Sequence, residues 1–232
     1  MTSTTTTALP TTFAPRWVAA MLTTVLGTSA GGGAATSLGE LDRQAGDGDF
    51  GTNLTSAFTR VQDEIQATSP QTFTEWLTAV SRGFLGTGGT SGPLFGMFFR
   101  DIARCAIGDS PTLAELADGL DSAVATVQRY GKAQVGHKTM IDALVPAAQK
   151  LSEQAATGVD PALALDAAVE AAQAGALTTR DIVARRGRAS YVGEVSRGVL
   201  DPGAVAAALM IQCAAAAVDG HDGPVDTDWT TR

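Results

Sequence analysis

Cysteine and histidine are scarce in this chain, with two of each among 232 residues. Cys105 and Cys213 lie far apart in apolar, helix-like stretches, so a disulfide framework is not expected, and the pair reads as two reduced, buried thiols of a cytoplasmic protein. His137 and His221 belong to no Ser/His/Asp arrangement, and no His/Cys cluster has zinc spacing. Basic residues are also few, 16 against 24 acidic ones, for a net charge of −8. That balance excludes a nucleic-acid footprint, which needs clustered Lys and Arg, and leaves only the small Arg185, Arg186, Arg188 group. No apolar run reaches eighteen residues, and the start "MTSTTTTALPTTFAP" lacks a basic n-region and an apolar h-region, so neither membrane insertion nor export is expected.

Aromatics make up only 6% of the chain and β-branched runs are short, whereas alanine abounds. Strong helix formers therefore dominate, and an all-α fold follows. The length and a 44% hydrophobic content suit one domain with a full-sized core. Residues 1–12 read as a disordered Thr-rich tail, 13–220 as the helical domain and 221–232 as an acidic C-terminal tail.

Helical periodicity begins in "RWVAAMLTTVLG", where Trp17, Met21 and Val25 share one face. A Gly-rich break and a short segment then lead to "AGDGDFGTNL", and a helix runs on through "NLTSAFTRVQDEIQA". Thr72 has the look of a cap before "TFTEWLTAVSRGFLG", and "GTGGTSGPLFG" opens the next helix. Long helices follow: one ends at Gly131, one begins near Met140, and one spans "DPALALDAAVEAAQAGALTTRDIVARRG" with Pro161 in its first turn. The irregular "RASYVGEVSRGVLDPG" precedes a closing apolar helix. The pattern predicts a closed bundle or barrel of about eight antiparallel amphipathic helices, with polar turns gathered at one functional end.

Asp42, Asp47 and Asp49 have the spacing D-x4-D-x-D, and Gly46, Gly48 and Gly51 let the backbone bend so that the carboxylates converge. Crowded carboxylates repel, and an all-oxygen set suits a hard cation such as Mg²⁺ or Ca²⁺. No EF-hand register works: starting at Asp47 puts Thr52 at the invariant glycine position and Phe58 at the bidentate Glu position. "GTGGTSGPLFG" offers backbone N–H groups with Thr90 and Ser91 at a helix start, where an anion is favoured, yet it lacks a Walker A pattern. Arg188 can face phosphate oxygens, the turn at 201–203 can wall a small-molecule pocket, and Met140 in "GHKTMID" can pack on a flat ring or simply in the core.

Taken in order, "LDRQAGDGDFGTNL", "GGTSGPLFG", "GHKTMIDALVPAA" and "GRASYVGEVSRGVLDPG" closely resemble the L subunit, or nucleotide-binding domain, of dihydroxyacetone kinases. The resemblance implies a barrel of eight helices with ADP or ATP held by loops at one end. It implies that Asp42, Asp47 and Asp49 bind two Mg²⁺ ions and that Phe50, Gly51, Thr52 and Asn53 line the phosphate site. Thr90 and Ser91 would contact phosphate, Gly131 and Met140 the nucleoside, and Asp201, Pro202 and Gly203 the adenine end. Arg188 would bind the phosphates and serve catalysis. The ketose would be held by a separate K-type subunit, without which this chain would be inactive.

Phe50 departs from the resemblance, because a histidine is usual there and Phe50 offers no side-chain hydrogen bond; His137 stands where an acidic residue is common. Two further readings stay open: a divergent paralogue or adaptor that keeps the nucleotide fold, and a helical carrier of an apolar ligand. Also open are the phosphoryl donor, either free ATP or a phosphocarrier protein that recharges ADP, and self-association as a homodimer.

Overall fold

The structure is a computed structural model that describes residues 8–27 and 33–231. Among them are nine α-helices and no strand: α1 (Phe13–Leu26), α2 (Ala34–Ala45), α3 (Phe50–Thr68), α4 (Phe73–Leu85), α5 (Ser91–Ile102), α6 (Leu113–Gly131), α7 (Ile141–Thr157), α8 (Pro161–Thr178) and α9 (Pro202–Val218). Eight of them close a ring. Each helix from α3 to α9 packs on the next, and α1 shuts the gap by packing on α9 at one side and on α3 and α4 at the other. The ninth, α2, is the short segment before the acidic turn; it lies across α3, α9 and α1 at the end of the barrel.

Local signals set the helix starts. Thr72 and Thr112 each accept from the backbone N–H of the glutamate three residues on, and Glu75 and Glu115 return the bond to the cap backbone. Two orphan donors are satisfied at each start. Asp160 and Asp201 cap α8 and α9, each followed by a proline at the first helical position.

Aromatic and alanine packing occupy different sides of the barrel. Phe13 stacks on Trp17 at 5.4 Å, Phe84 meets Phe95 at 5.4 Å, and Phe98 meets Phe99 edge-on at 5.2 Å, all on α1, α4 and α5. On the other side α9 is buried without a break from Ala204 to Ile211, so it is covered all round by α1, α2, α7 and α8. Trp17 Nε1 ties the two sides together by donating to the Met210 carbonyl at 2.9 Å. An inner cavity lined by Met21, Val25, Leu38, Leu54 and Leu209 encloses about 10 Å³, room for about one water and not for a lipid.

Three expectations change. The helix expected to run to Gly187 stops at Thr178, and one turn of 3₁₀-helix, Thr179–Asp181, follows before the chain becomes irregular. Ordered packing begins before Phe13: Leu9 is buried and donates its N–H to the Pro111 carbonyl at 2.8 Å, and only residues 1–7 of the Thr-rich stretch lie outside the described residues. The acidic C-terminal stretch also packs, with Trp229 buried and its Nε1 donating to Gln212 Oε1 at 3.2 Å, and Val225 N donating to Thr24 Oγ1 at 3.1 Å.

Both cysteines are free; Cys213 is buried and Cys105 half-buried, and burial pushes each thiol up to about 12. No helix among the described residues is long and apolar enough to cross a membrane.

Candidate functional site

One end of the barrel holds a cavity built from five segments of chain. The first is the turn between α2 and α3. Asp42 sits on the last turn of α2, and Asp47 and Asp49 follow it, so that one carboxylate oxygen from each lies within 4.8 Å of the others. Two glycines make the approach possible. Gly48 has φ +78°, and a side chain on Gly46 would place its Cβ 2.0 Å from Asp42 Oδ1.

Asp42 is buried and accepts from the Phe50 N–H at 3.1 Å. Burial pushes its carboxyl above the ordinary range, the charges of Asp47 and Asp49 push the same way, and the Phe50 N–H opposes them. Asp47 and Asp49 are exposed to solvent. The only ion pair formed by this triad among the described residues is Asp47 Oδ2 with Arg188 Nε, at 2.9 Å. Three converging acceptor-only groups with one guanidinium between them fit a hard divalent cation.

The second segment is the turn into α5. Thr90 stands at the helix start without a side-chain cap bond, leaving the first N–H groups of Ser91–Ile102 open to a ligand. Gly89, at φ +79°, lies against the amide of Asn53, whose Nδ2 would be 3.0 Å from any Cβ there.

The third segment, between α6 and α7, is folded tightly around two buried charges. Asp142 accepts from the N–H groups of Gly136 at 2.5 Å and Thr139 at 2.8 Å. Lys138 takes φ +62°, is 1% exposed, and donates Nζ to the carbonyls of Thr179 and Val199. Burial lowers the pKa of Lys138, while Asp201 and Asp142 hold it up. The fourth segment is the start of α9, where Asp201 accepts from Ala204 N at 2.7 Å. Burial lifts its carboxyl to about 7 against the pull of that N–H and of Lys138. Gly203 faces Met140, whose backbone N would be 3.6 Å from a Cβ at position 203. The last segment is the 3₁₀ turn Arg188–Tyr191, which carries Arg188 over the acidic triad.

Of the residues singled out from sequence, Asp42, Asp47, Asp49, Phe50, Asn53, Thr90, Ser91, Gly131, Met140, Arg188, Asp201, Pro202 and Gly203 all line this cavity. Gly51 and Thr52 do not. Gly51 is a close-packing residue: its Cα faces Gly39, and an added Cβ would meet the Ala35 carbonyl at 2.3 Å. Thr52 points out to solvent. No role follows from sequence for Lys138, which lines the same wall, or for the buried Asp142. Deeper in, Leu54, Phe84, Phe95, Val127 and Ile141 make the floor apolar. The outcome is an acidic, cation-fitting rim and an open helix start above an apolar floor, a site suited to a metal-bound phosphate ester with an apolar or aromatic group attached.

Comparisons with known proteins agree with that class of site. The family model described as the DAK2 domain matches residues 44–216. The chain is 38% identical over 183 residues to the ADP-binding subunit DhaL of the PEP-dependent dihydroxyacetone kinase of Escherichia coli, covering 76% of this chain and 85% of that one. It is 36% identical to a putative 3,4-dihydroxy-2-butanone kinase of Solanum lycopersicum, covering 78% of this chain but 32% of the relative. Among solved structures, the dihydroxyacetone kinase of C. freundii in complex with AMP-PNP and Mg²⁺ matches with a TM-score of 0.60 and 26% identity, over 93% of this chain and 36% of that one. The chain thus belongs to the DAK2 domain family and has the helical fold of the dihydroxyacetone kinase L subunits. It spans about a third of the tomato relative and of the C. freundii kinase.

Proposed function

We propose that this protein is the nucleotide-holding phosphotransferase component of a dihydroxyacetone-type kinase, acting on a short ketose presented by a separate K-type partner. The observation that carries the reading is the meeting of the acidic triad, the open start of α5 and Arg188 in one cavity. The relatives named as ADP-binding subunits, and the neighbour solved with AMP-PNP and Mg²⁺, support it.

In this reading Asp42, Asp47 and Asp49 hold two Mg²⁺ ions. When bound there, Mg²⁺ would supply positive charge to neutralise the phosphates. The N–H groups at the start of α5, with Thr90, Ser91 and Asn53, orient the phosphates. Arg188 leaves Asp47 for the transferring group, whose developing charge it stabilises. Met140 and Gly131 flank the nucleoside, and Asp201, Pro202 and Gly203 close the adenine end. Phe50 supplies an apolar wall beside the triad and donates nothing from its side chain.

The test is phosphoryl transfer to dihydroxyacetone with the remaining subunits of the E. coli kinase as partner, supplied first with ATP and Mg²⁺ and then with a phosphoenolpyruvate-driven phosphocarrier system. Transfer in either arm supports the reading and identifies the donor. Retained nucleotide with no transfer in both arms favours the adaptor reading that Phe50 motivates.

A further inference from the structure

Two walls of the cavity come from turns that are far apart in sequence. Met140 ends the loop before α7, and Leu200 to Gly203 lead into α9. Gly203 stands against Met140, so the two turns face each other across one slot. Thr179, fully buried, follows the last residue of α8 and packs behind the second wall, where its Oγ1 accepts from Asp201 N at 2.9 Å.

Lys138 is the side chain that joins all three segments. It lies two residues before Met140, and its Nζ donates to the carbonyls of Thr179 and of Val199, which lies two residues before Asp201. Among the described residues, the bond to Val199 is the only hydrogen bond between residues 132–140 and 198–203. The second wall is itself tied to the end of α8, because Gly198 N donates to the Arg180 carbonyl at 2.7 Å and Asp201 N to Thr179. The hydrogen bonds of Lys138 therefore hold the Met140 loop to that pair.

The position calls for a lysine rather than an apolar residue. A carbonyl at the carboxyl end of α8 attracts positive charge, and leaving it unbonded inside the protein would be costly. Lys138 is 1% exposed and takes φ +62°, a conformation that residues with a Cβ rarely adopt. Such strain persists only where the surroundings impose it. Here Asp142 does so by accepting from the N–H groups of Gly136 and Thr139, on either side of Lys138.

Resting on the functional reading above, we propose that Lys138 is the positioning residue of the nucleoside end: it fixes the spacing between Met140 and the 201–203 turn, and so gives the cavity its preference for a purine over a pyrimidine base. A purine buries more flat surface between two walls than a pyrimidine does, but only while both walls stay within contact distance, since dispersion contacts fall off steeply with a gap. With its ammonium committed to the two carbonyls, Lys138 acts through the walls.

The test compares Mg²⁺-dependent binding of ADP and of CDP to the full chain by calorimetric titration, for the wild type, Lys138→Met and Thr179→Val. Lys138→Met keeps the length of the side chain and removes its donors; Thr179→Val keeps the shape of the residue and removes the Oγ1 that Asp201 N uses. The wild type is expected to prefer ADP, and the ratio of the two affinities to fall about tenfold in Lys138→Met and to fall in Thr179→Val as well. A general loss of stability lowers both affinities together, so the ratio separates positioning from a merely structural role. An unchanged ratio in Lys138→Met, or a wild type that binds ADP and CDP equally, would overturn the proposal and leave the nucleotide reading standing. Where Lys138→Met fails to fold, Thr179→Val decides: a lowered ratio supports the proposal and an unchanged one overturns it. A wild type that binds neither nucleotide would overturn both.

Discussion

Arg188 Nε lies 2.9 Å from Asp47 Oδ2, so the two residues assigned to phosphate and to metal face each other across the cavity mouth. Both side chains are well exposed, 59% and 38%, and an exposed pair of this kind stabilises a fold by about 1 kcal/mol at most. Its meaning is positional: Arg188 partly offsets the charge of the triad and sits where transferring phosphate would draw it away. Arg188→Gln is expected to leave the melting temperature nearly unchanged and to lower the rate of transfer by about 10²–10³, the usual loss when one charge-stabilising donor is removed. A thermal melt alongside a transfer assay checks both halves.

Removing charge from the triad separates stability from function. Asp42 is a buried carboxyl pushed up by burial and by two neighbouring carboxylates, so Asp42→Asn relieves repulsion in the metal-free protein while keeping an acceptor for the Phe50 N–H. Its melting temperature without metal is expected to rise, while the further rise that Mg²⁺ and ADP give the wild type is lost. Melts with and without EDTA, and with and without ADP, read this directly.

Gly46→Ala tests the geometry of the turn without touching a charge. The new methyl would stand 2.0 Å from Asp42 Oδ1, so the carboxylate must swing away from Asp47 and Asp49. Mg²⁺-dependent ADP binding is expected to weaken at least tenfold, about 1.4 kcal/mol or more. Calorimetric titration with ADP at fixed Mg²⁺ measures it; unchanged affinity would mean that the turn does not hold the cation.

The Asp201 carboxyl gives the fold a pH signature. Its pKa is raised to about 7, against about 3.9 in an unfolded chain. Between these values the unfolded chain has lost the proton and the folded one keeps it, so this group's contribution to stability falls as pH rises from about 4 to about 7 and then levels off. Asp201→Asn keeps an acceptor for Ala204 N and is expected to flatten that slope. Urea unfolding at pH 5, 6, 7 and 8 for both proteins checks the sign.

Much of the barrel was legible because its signals are local. The cap at Thr72, the Pro161 start and the Trp17, Met21, Val25 stripe each lie within one or two turns of helix. The misreadings come from long-range pairing. Leu9 is ordered by Pro111, about a hundred residues away, and Trp229 by Gln212 on α9. Past the end of α8 no glycine or proline stands before Gly187, and apolar residues continue at 182–184. Its stop depends on Thr179 and Ser196, whose side chains take Asp201 N and Ala184 N.

The site divides in the same way. The D-x4-D-x-D spacing was enough to expect three converging carboxylates. The resemblance implied Gly51 and Thr52 in the phosphate site, yet the helix that starts at Phe50 turns Gly51 onto Gly39 and Thr52 out to solvent. Lys138 was visible in its motif, but its burial depends on the carbonyls of Thr179 and Val199, 41 and 61 residues on, which no local pattern reveals.

The central claim is that this cavity holds a nucleotide through a metal bound by the aspartate triad. The direct measurement is to purify the wild-type chain and Asp47→Asn, denature each, and identify released nucleotide, with exchange against labelled ATP followed with and without Mg²⁺. The account predicts adenine nucleotide on the wild type, lost with EDTA and absent from the variant. Wild-type protein that neither carries nor takes up nucleotide with Mg²⁺ present, or a variant that holds it equally well, would contradict it.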